Sequence, residues 1–366
     1  MFDVAIIGAG PAGTAAAFIL LEKGLKVLLL DKYEFPRKKA CAGGITPKAY
    51  HLFPYDIFPV IKRECRAVKI TPPGSNPFRI MDENTLCHMT KREDLDLFSL
   101  RRVMEKGAQF RVVKKIRSIC EKPHFVEINT GKDYLKTLYL IGADGANSIV
   151  RRFVSKGRFW QKQVAVEADV KVDGLEKYPM EFDFSRLKNG YFWIFPKDDH
   201  VNIGIYSMDS HAGIQSKQLY EYARERISSN RLEALKGYPI CTGGSYYRPD
   251  SNRILLCGDA AGFAEPLLGE GIYFAIKTGQ EAARSILDTE AGHSQASLRY
   301  MEKLRAIQTD LKLYRASAGF FYLLPWMSLK LLSLPLIHRH FVKGYASGST
   351  LSQILFNRPT VKNQPQ

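Results

Sequence analysis

At 366 residues the chain has room for two domains, or for one large α/β unit carrying an insertion. Its hydrophobic share of 45% is ordinary for a globular protein, with no repeat or low-complexity segment to suggest a fibrous or disordered chain. Lysine and arginine exceed aspartate and glutamate by 53 to 37, an excess that suits nucleic acid, an anionic membrane surface or phosphorylated ligands. No helix-turn-helix, zinc-finger or RNP signature is present, so nucleic acid is not expected as a partner.

The six cysteines, at 41, 65, 87, 120, 241 and 257, form no CxxC pair and no cluster at metal-ligand spacing. They read as reduced thiols in a cytoplasmic setting, with no metal site. The chain opens directly into a strand, so secretion is not expected.

Asp3 to Ile7 predict a strand, Gly8, Gly10 and Gly13 turn the chain into an alanine-rich helix ending near Lys23, and Val27 to Leu30 predict a second strand closed by Asp31. A GxGxxG spacing between a strand and a helix is the context in which that motif carries meaning. Gly8 serves the tight turn, Gly10 the close approach of backbone to a pyrophosphate, and Gly13 the packing of helix on strand. The helix N-terminus offers free N–H groups to the phosphates, and Asp31 sits where a carboxylate meets the hydroxyls of an adenosine ribose. This spacing alone does not separate FAD from NAD.

The next stretch, KYEFPRKKACAGGITPKAY, is too irregular for strand or helix and is expected to face the ligand. Cys41 within it reads either as a functional thiol in the field of Arg37, Lys38 and Lys39 or as a small buried residue. Short strands fill 66–90, and Thr90 to Met104 predict a helix with Arg92 at its start. Strands follow around 109–120 and 123–129. Leu138 to Ile141 predict another, leading into GADGANS, where Gly142, Asp144 and Gly145 suit a strand end beside the first motif.

From 160 to 248, segments such as VAVEADVKV, YFWIFP and HVNIGIYS alternate with period two, which predicts an inserted antiparallel sheet, with a helix or two between Gln215 and Leu235. Tyr191, Trp193 and Phe195 fall on one face, either as a flat apolar wall or as sheet core. Arg253 to Cys257 then predict a strand, followed by the glycine-rich GDAAGFAEPLLGEGI and a long helix from about Gly271. Residues 316–345 are apolar and aromatic with interspersed cations. Pro325, Lys330 and Pro335 interrupt them, so a membrane span is not expected. A surface-lying amphipathic piece, a cap on a lipid tunnel and a docked helical subdomain all remain open, and disorder is expected beyond Phe356.

Together GAGPAG with Asp31, GADGANSIVRR and CGDAAGFAEPLLGEGI resemble the FAD-binding pattern of the para-hydroxybenzoate-hydroxylase-like flavoproteins. GYFWIFPK, CAGG and PLLGEGI resemble, more narrowly, the geranylgeranyl reductase family. Lys188 stands where that family often has a proline before the aromatic element. The resemblance implies an α/β fold: a Rossmann-like FAD-binding domain (1–65, 90–158, 250–290), an inserted antiparallel-sheet substrate domain (66–89, 159–249) and a C-terminal helical region (291–366). It places FAD against Gly8, Gly10, Ala12, Gly13, Asp31, Lys32, Cys41, Ala42, Gly43, Arg92, Asp144, Gly258, Asp259, Gly269, Gly271 and Ile272, with Asp96 further along the helix of Arg92. It also implies catalytic roles for Cys41, Tyr191 and Trp193, and substrate contacts at Trp193, Phe195 and Pro266.

The implied activity is reduction of carbon–carbon double bonds in a prenyl lipid by hydride from reduced flavin. NAD(P)H or ferredoxin would be the electron donor, and peripheral contact with the inner face of the membrane is expected. The alternative on the same fold is a flavin monooxygenase or halogenase. A halogenase would call for Trp-x-Trp-x-Ile-Pro, whereas the chain has Tyr191-x-Trp193-x-Phe195-Pro196.

Overall fold

Val4–Ile7 and the whole of Val27–Asp31 are buried on both faces, the condition of strands inside a parallel sheet covered by helices. The computed structural model describes residues 1–155, 161–209, 213–290 and 295–356. Its first sheet runs in the order Gln109–Val112, Val27–Asp31, Phe2–Ile7, Tyr134–Gly142, Val126–Asn129, Ser118–Glu121. Tyr134–Gly142 changes partner along its length, pairing antiparallel with Val126–Asn129 at its start and parallel with Ile254–Leu256 at its end. Three strand ends therefore converge. The Ala143 N–H donates to the Ile7 carbonyl and the Cys257 N–H to that of Gly142, bringing all three glycine-bearing motifs to the carboxyl edge where such sheets bind ligands.

The helix Pro11–Glu22 covers this sheet and packs against both Ile272–Glu290 and Arg92–Glu105. Beyond it, Tyr300 on the helix Ala296–Leu323 is fully buried and donates to the Leu256 carbonyl at 2.9 Å, fastening the C-terminal helices to the sheet.

A second sheet runs Glu233–Thr242, Gln161–Val170, Val201–Ser207, Gly190–Pro196, Met180–Asp183, Ala67–Thr71, Phe78–Met81. Its period-two pattern separates two apolar clusters. Phe192, Ile194 and Ile205 pack against the helix Ser216–Ile227, while Tyr191, Trp193 and Phe195 face the other way. A small third sheet joins Gly44–Ile45, Cys87–Thr90 and Ile61–Cys65.

Two expectations change. The second sheet is not wholly antiparallel, because Met180–Asp183 pairs parallel with Ala67–Thr71. That junction is held by side chains: buried Glu181 accepts from Thr71 Oγ1 at 3.0 Å and from Lys69 Nζ at 3.3 Å, and both its oxygens accept from Arg226 Nη2 at 2.8 Å. The stretch after Asp31 is not irregular throughout. It holds the strand Gly44–Ile45 and a short helix Pro47–Tyr50, begun by Thr46, whose Oγ1 accepts the Ala49 N–H, and by proline at the first helical position. Between Gln215 and Leu235 the described residues form one helix, Ser216–Ile227, before Ser228 turns the chain toward its next strand. The domain limits near 158 and 291 and the tail beyond Phe356 lie outside the described residues.

Candidate active site

At the carboxyl edge of the first sheet the backbone comes close enough to itself that side chains are excluded. A Cβ on Gly13 would lie 1.9 Å from the Gly8 carbonyl oxygen, and one on Gly8, at φ +108°, would lie 2.2 Å from that of Ala143. The helix that follows has no side-chain cap: Gly10 precedes it and Pro11 opens it, leaving the first-turn N–H groups of Ala12 and Gly13 for a ligand. Asp31 is oriented by backbone N–H groups, its Oδ2 accepting that of Ala9 at 2.9 Å and its Oδ1 that of Tyr33 at 3.0 Å, with Arg37 Nε 4.0 Å from Oδ2. Lys32 is exposed beside it.

Arg92 is buried and grips Asp96 through Nε and Nη2 at 2.9–3.1 Å. Burial opposes its charge, yet the adjacent Asp96 carboxylate holds it above its ordinary range, helped by a bond to the Cys41 side chain. Arg37 reaches the same Asp96 oxygen at 3.1 Å, and its guanidinium and that of Arg92 flank Gly10. The Arg37 Nε is buried without a hydrogen-bond partner among the described residues. An Arg92→Met variant is expected to leave Asp96 buried with half its partners, costing on the order of 3 kcal/mol. The denaturation midpoint and the flavin content of the purified protein check this together.

Opposite this cradle, Asp259 and Gly271 face each other: a Cβ on Gly271 would stand 3.3 Å from Asp259 Oδ1, at the entry to the helix Ile272–Glu290. Gly258 is buried against Ala12 and Ala275, and Arg151 fixes the turn by donating to the Asp259 and Ala260 carbonyls at 3.2 and 2.9 Å. Asp144 turns the other way. Its carboxylate accepts Ser148 Oγ and the N–H groups of Ile149 and Val150, so it starts the helix Ile149–Val154.

The loop Glu265–Glu270 is held from inside and outside. The buried Glu265 carboxylate, pushed up to about 7 by burial, accepts the N–H groups of Leu267, Leu268 and Glu270. Three phenols hold its carbonyls: Tyr206 donates to Pro266 at 2.6 Å, Tyr322 to Leu267 at 2.7 Å and Tyr191 to Leu268 at 2.6 Å. Burial raises the Tyr191 phenol well above its ordinary range, so this hydroxyl stays protonated and donating. Glu270 also pairs with buried Lys48 at 2.7 Å, and that ammonium lies over the rings of Tyr273 and Tyr314.

Trp193 is locked flat against its neighbour strand. Its Nε1 donates to Asn202 Oδ1 at 2.8 Å, and the ring covers Gly204. With Tyr191, Phe195, Phe184, Phe321 and Leu329 it forms one apolar cluster, against which Ala42 of the cysteine loop and Leu267 of the glycine loop also pack. Cys41 is half-buried at the rim, with Arg92 on its side chain and Glu167 Oε1 accepting its backbone N–H at 2.7 Å. The structure thus brings together Gly8, Gly10, Ala12, Gly13, Asp31, Arg92, Gly258, Asp259, Gly271 and Ile272 on one side. Cys41–Gly43, Pro266, Gly269, Trp193 and Phe195 lie on the other. Sequence reasoning passed over Glu167, Lys197, Lys48 and Glu270. Of these Lys197 had a signal, a cation directly after the aromatic strand.

The uncapped helix start, the Arg37 Nε that lies 4.0 Å from Asp31 with no hydrogen bond of its own among the described residues, and two carboxylates spaced along the strand ends fit the pyrophosphate and the hydroxyl-bearing chains of FAD. A family profile described as an FAD-binding domain matches residues 1–54. The protein is accordingly an FAD-dependent oxidoreductase.

Among relatives, an uncharacterised protein of Methanosarcina barkeri is 36% identical over 88% of this chain and 84% of its own. A geranylgeranyl diphosphate reductase of Synechocystis sp. is 30% identical over 78% and 75%, and a digeranylgeranylglycerophospholipid reductase of Methanococcus vannielii is 28% identical over 85% of each. Two solved structures share the fold. One is a geranylgeranyl bacteriochlorophyll reductase-like protein from Thermoplasma acidophilum, with a TM-score of 0.74 at 20% identity over 97% of this chain and 95% of the other. The second is a flavin-dependent brominase, with a TM-score of 0.75 at 19% identity over 94% and 93%. The chain belongs to the geranylgeranyl reductase family.

Proposed function

We propose that the protein reduces isolated double bonds in a prenyl chain carried by a lipid or by a phosphate-bearing head. The observation that carries this reading is the aromatic cluster of Tyr191, Trp193 and Phe195, which touches both loops assigned to the flavin through Ala42 and Leu267. When bound, reduced FAD supplies hydride to one alkene carbon, and the other carbon takes a proton. An isolated alkene is a poor hydride acceptor, so alignment must lower much of the barrier. Trp193 and Phe195 offer a flat apolar surface for the chain, and the Glu265–Glu270 loop, held by its phenols, closes the site from the side of the Asp259 turn. Cys41, at the rim between wall and cradle, is our candidate to hold the proton or to shape the site.

The test is anaerobic. Holoenzyme reduced with dithionite is mixed with geranylgeranyl lipids while flavin absorption and product mass are followed. Reoxidation with a gain of two hydrogens per double bond supports the reading. Reduced flavin that ignores every prenyl lipid, but turns over once oxygen and another substrate are present, replaces it with a monooxygenase. Repeating the assay with NAD(P)H or ferredoxin in place of dithionite identifies the donor.

We further propose peripheral contact with an anionic membrane. No helix among the described residues is long and apolar enough to cross one. The helices Pro325–Leu332 and Pro335–Ala346 and the turn before them nonetheless expose Leu323, Trp326, Met327, Leu331, Leu334 and Leu336, beside exposed Lys330, Arg339 and Lys343. Replacing Trp326 and Leu336 together by serine is expected to lower sedimentation with vesicles containing anionic lipid by about tenfold or more. Turnover of a detergent-dispersed substrate should remain intact.

A further inference from the structure

The Cys41–Gly43 loop is gripped from the second sheet at two consecutive residues. Glu167, on the strand Gln161–Val170, accepts the Cys41 N–H at 2.7 Å, and Lys197, one residue past the aromatic strand, donates to the Ala42 carbonyl at 2.5 Å. Gly43 is tied to the third sheet, its carbonyl accepting the Thr90 N–H at 2.8 Å, while its own N–H turns back to Cys41 Sγ at 3.4 Å. Neutral groups would serve to hold a loop; this one is held by two ionisable groups taken substantially out of water, at a desolvation cost.

Lys197 is only 3% exposed, and Glu167 faces Cys41, Arg92 from the helix Arg92–Glu105, Lys197, Asp169 on its own strand and Lys236 in register on the next. His200 stands behind Asp169 at 3.3 Å. Burial pushes the Glu167 carboxyl up to about 7 despite the Cys41 N–H, and burial pulls the Lys197 ammonium below its ordinary range.

We propose that Glu167 and Lys197 are positioning residues for the reduction, holding the cysteine loop against the aromatic wall, and that protonation of the Glu167 carboxylate releases it. The charged carboxylate is the stronger acceptor for the Cys41 amide and the counter-charge that Lys197 faces. Once protonated it gives up both, and the loop loses its register with the bound chain. This inference rests on the prenyl-reduction reading above.

The experiment is single-turnover reduction of a geranylgeranyl lipid by dithionite-reduced holoenzyme across the neutral pH range, with flavin absorption recorded at each pH in the oxidised protein without lipid. The wild-type rate is expected to break near 7 and to fall about tenfold for each pH unit below the break. Glu167→Gln, which keeps shape but cannot ionise, should give a slower rate without that break, and the lipid-free flavin spectrum should lose its change over the same range. Lys197→Met removes a cation that favours the carboxylate, so its break should move to higher pH. A break that persists in Glu167→Gln, or one that stays in place in Lys197→Met, overturns the inference. If wild-type protein reduces no prenyl lipid, it is the prenyl reading that fails. The spectra then judge the clamp alone: a transition present in wild type and absent from Glu167→Gln keeps it, and any other pattern removes it.

Discussion

Replacing Gly204 by alanine is expected to cut prenyl reduction by about a hundredfold while FAD stays bound. Gly204 lies directly across from Trp193 in the antiparallel pair, and a Cβ there would stand 2.1 Å from Trp193 Cζ2 and 2.3 Å from Cη2. The indole cannot slide aside freely, because its Nε1 is committed to Asn202, whose amide is committed in turn to Asp169. The added methyl must therefore tilt the ring off the strand and into the space assigned to the substrate, at a stability cost of about 1–3 kcal/mol. Flavin absorption of the purified variant, set beside its single-turnover rate, separates the two effects. Full activity in this variant would show that the prenyl chain does not lie on Trp193.

Gly13→Ala is expected to yield folded protein that is colourless after purification. Its new Cβ would meet the Gly8 carbonyl oxygen at 1.9 Å and the carbonyl carbon at 3.1 Å, both backbone atoms at the end of a central strand. Neither yields as the tip of a side chain does, so helix and strand must separate and the N–H groups of the first turn lose their common aim. A loss of about 3 kcal/mol in binding corresponds to roughly a hundredfold weaker affinity. Titration of the apoprotein with FAD measures it directly. Retention of a full complement of flavin would remove the first glycine motif from the binding site.

How much of this was legible follows from how local each cause is. The run from Asp3 to Asp31 could be read because Gly13 answers to Gly8 and Ile6 within the same thirty residues, and Gly8 to Ala143 at the end of the strand beside it. The shared face of Tyr191, Trp193 and Phe195 follows from strand periodicity alone. Arg92 could not be read in the same way. Its position marks a first-turn charge, and only Asp96, together with the Cys41 side chain from a distant loop, makes its burial tolerable. Glu167 looks like any polar residue in an alternating strand until the cysteine loop closes on it, and the parallel pairing of Met180–Asp183 with Ala67–Thr71 depends on partners far apart in the chain. Asp144 shows the opposite case, a motif residue whose carboxylate is spent locally on starting a helix.

The three phenols on the Glu265–Glu270 loop come from unlike places: Tyr191 and Tyr206 from the second sheet, Tyr322 from the end of the helix that leads into the exposed apolar turn. The helix that ends in the exposed apolar turn is therefore joined to the glycine-rich loop through one phenol. On the prenyl reading proposed above, displacing Tyr322 to admit a long chain withdraws one of three latches from the loop and leaves the other two in place.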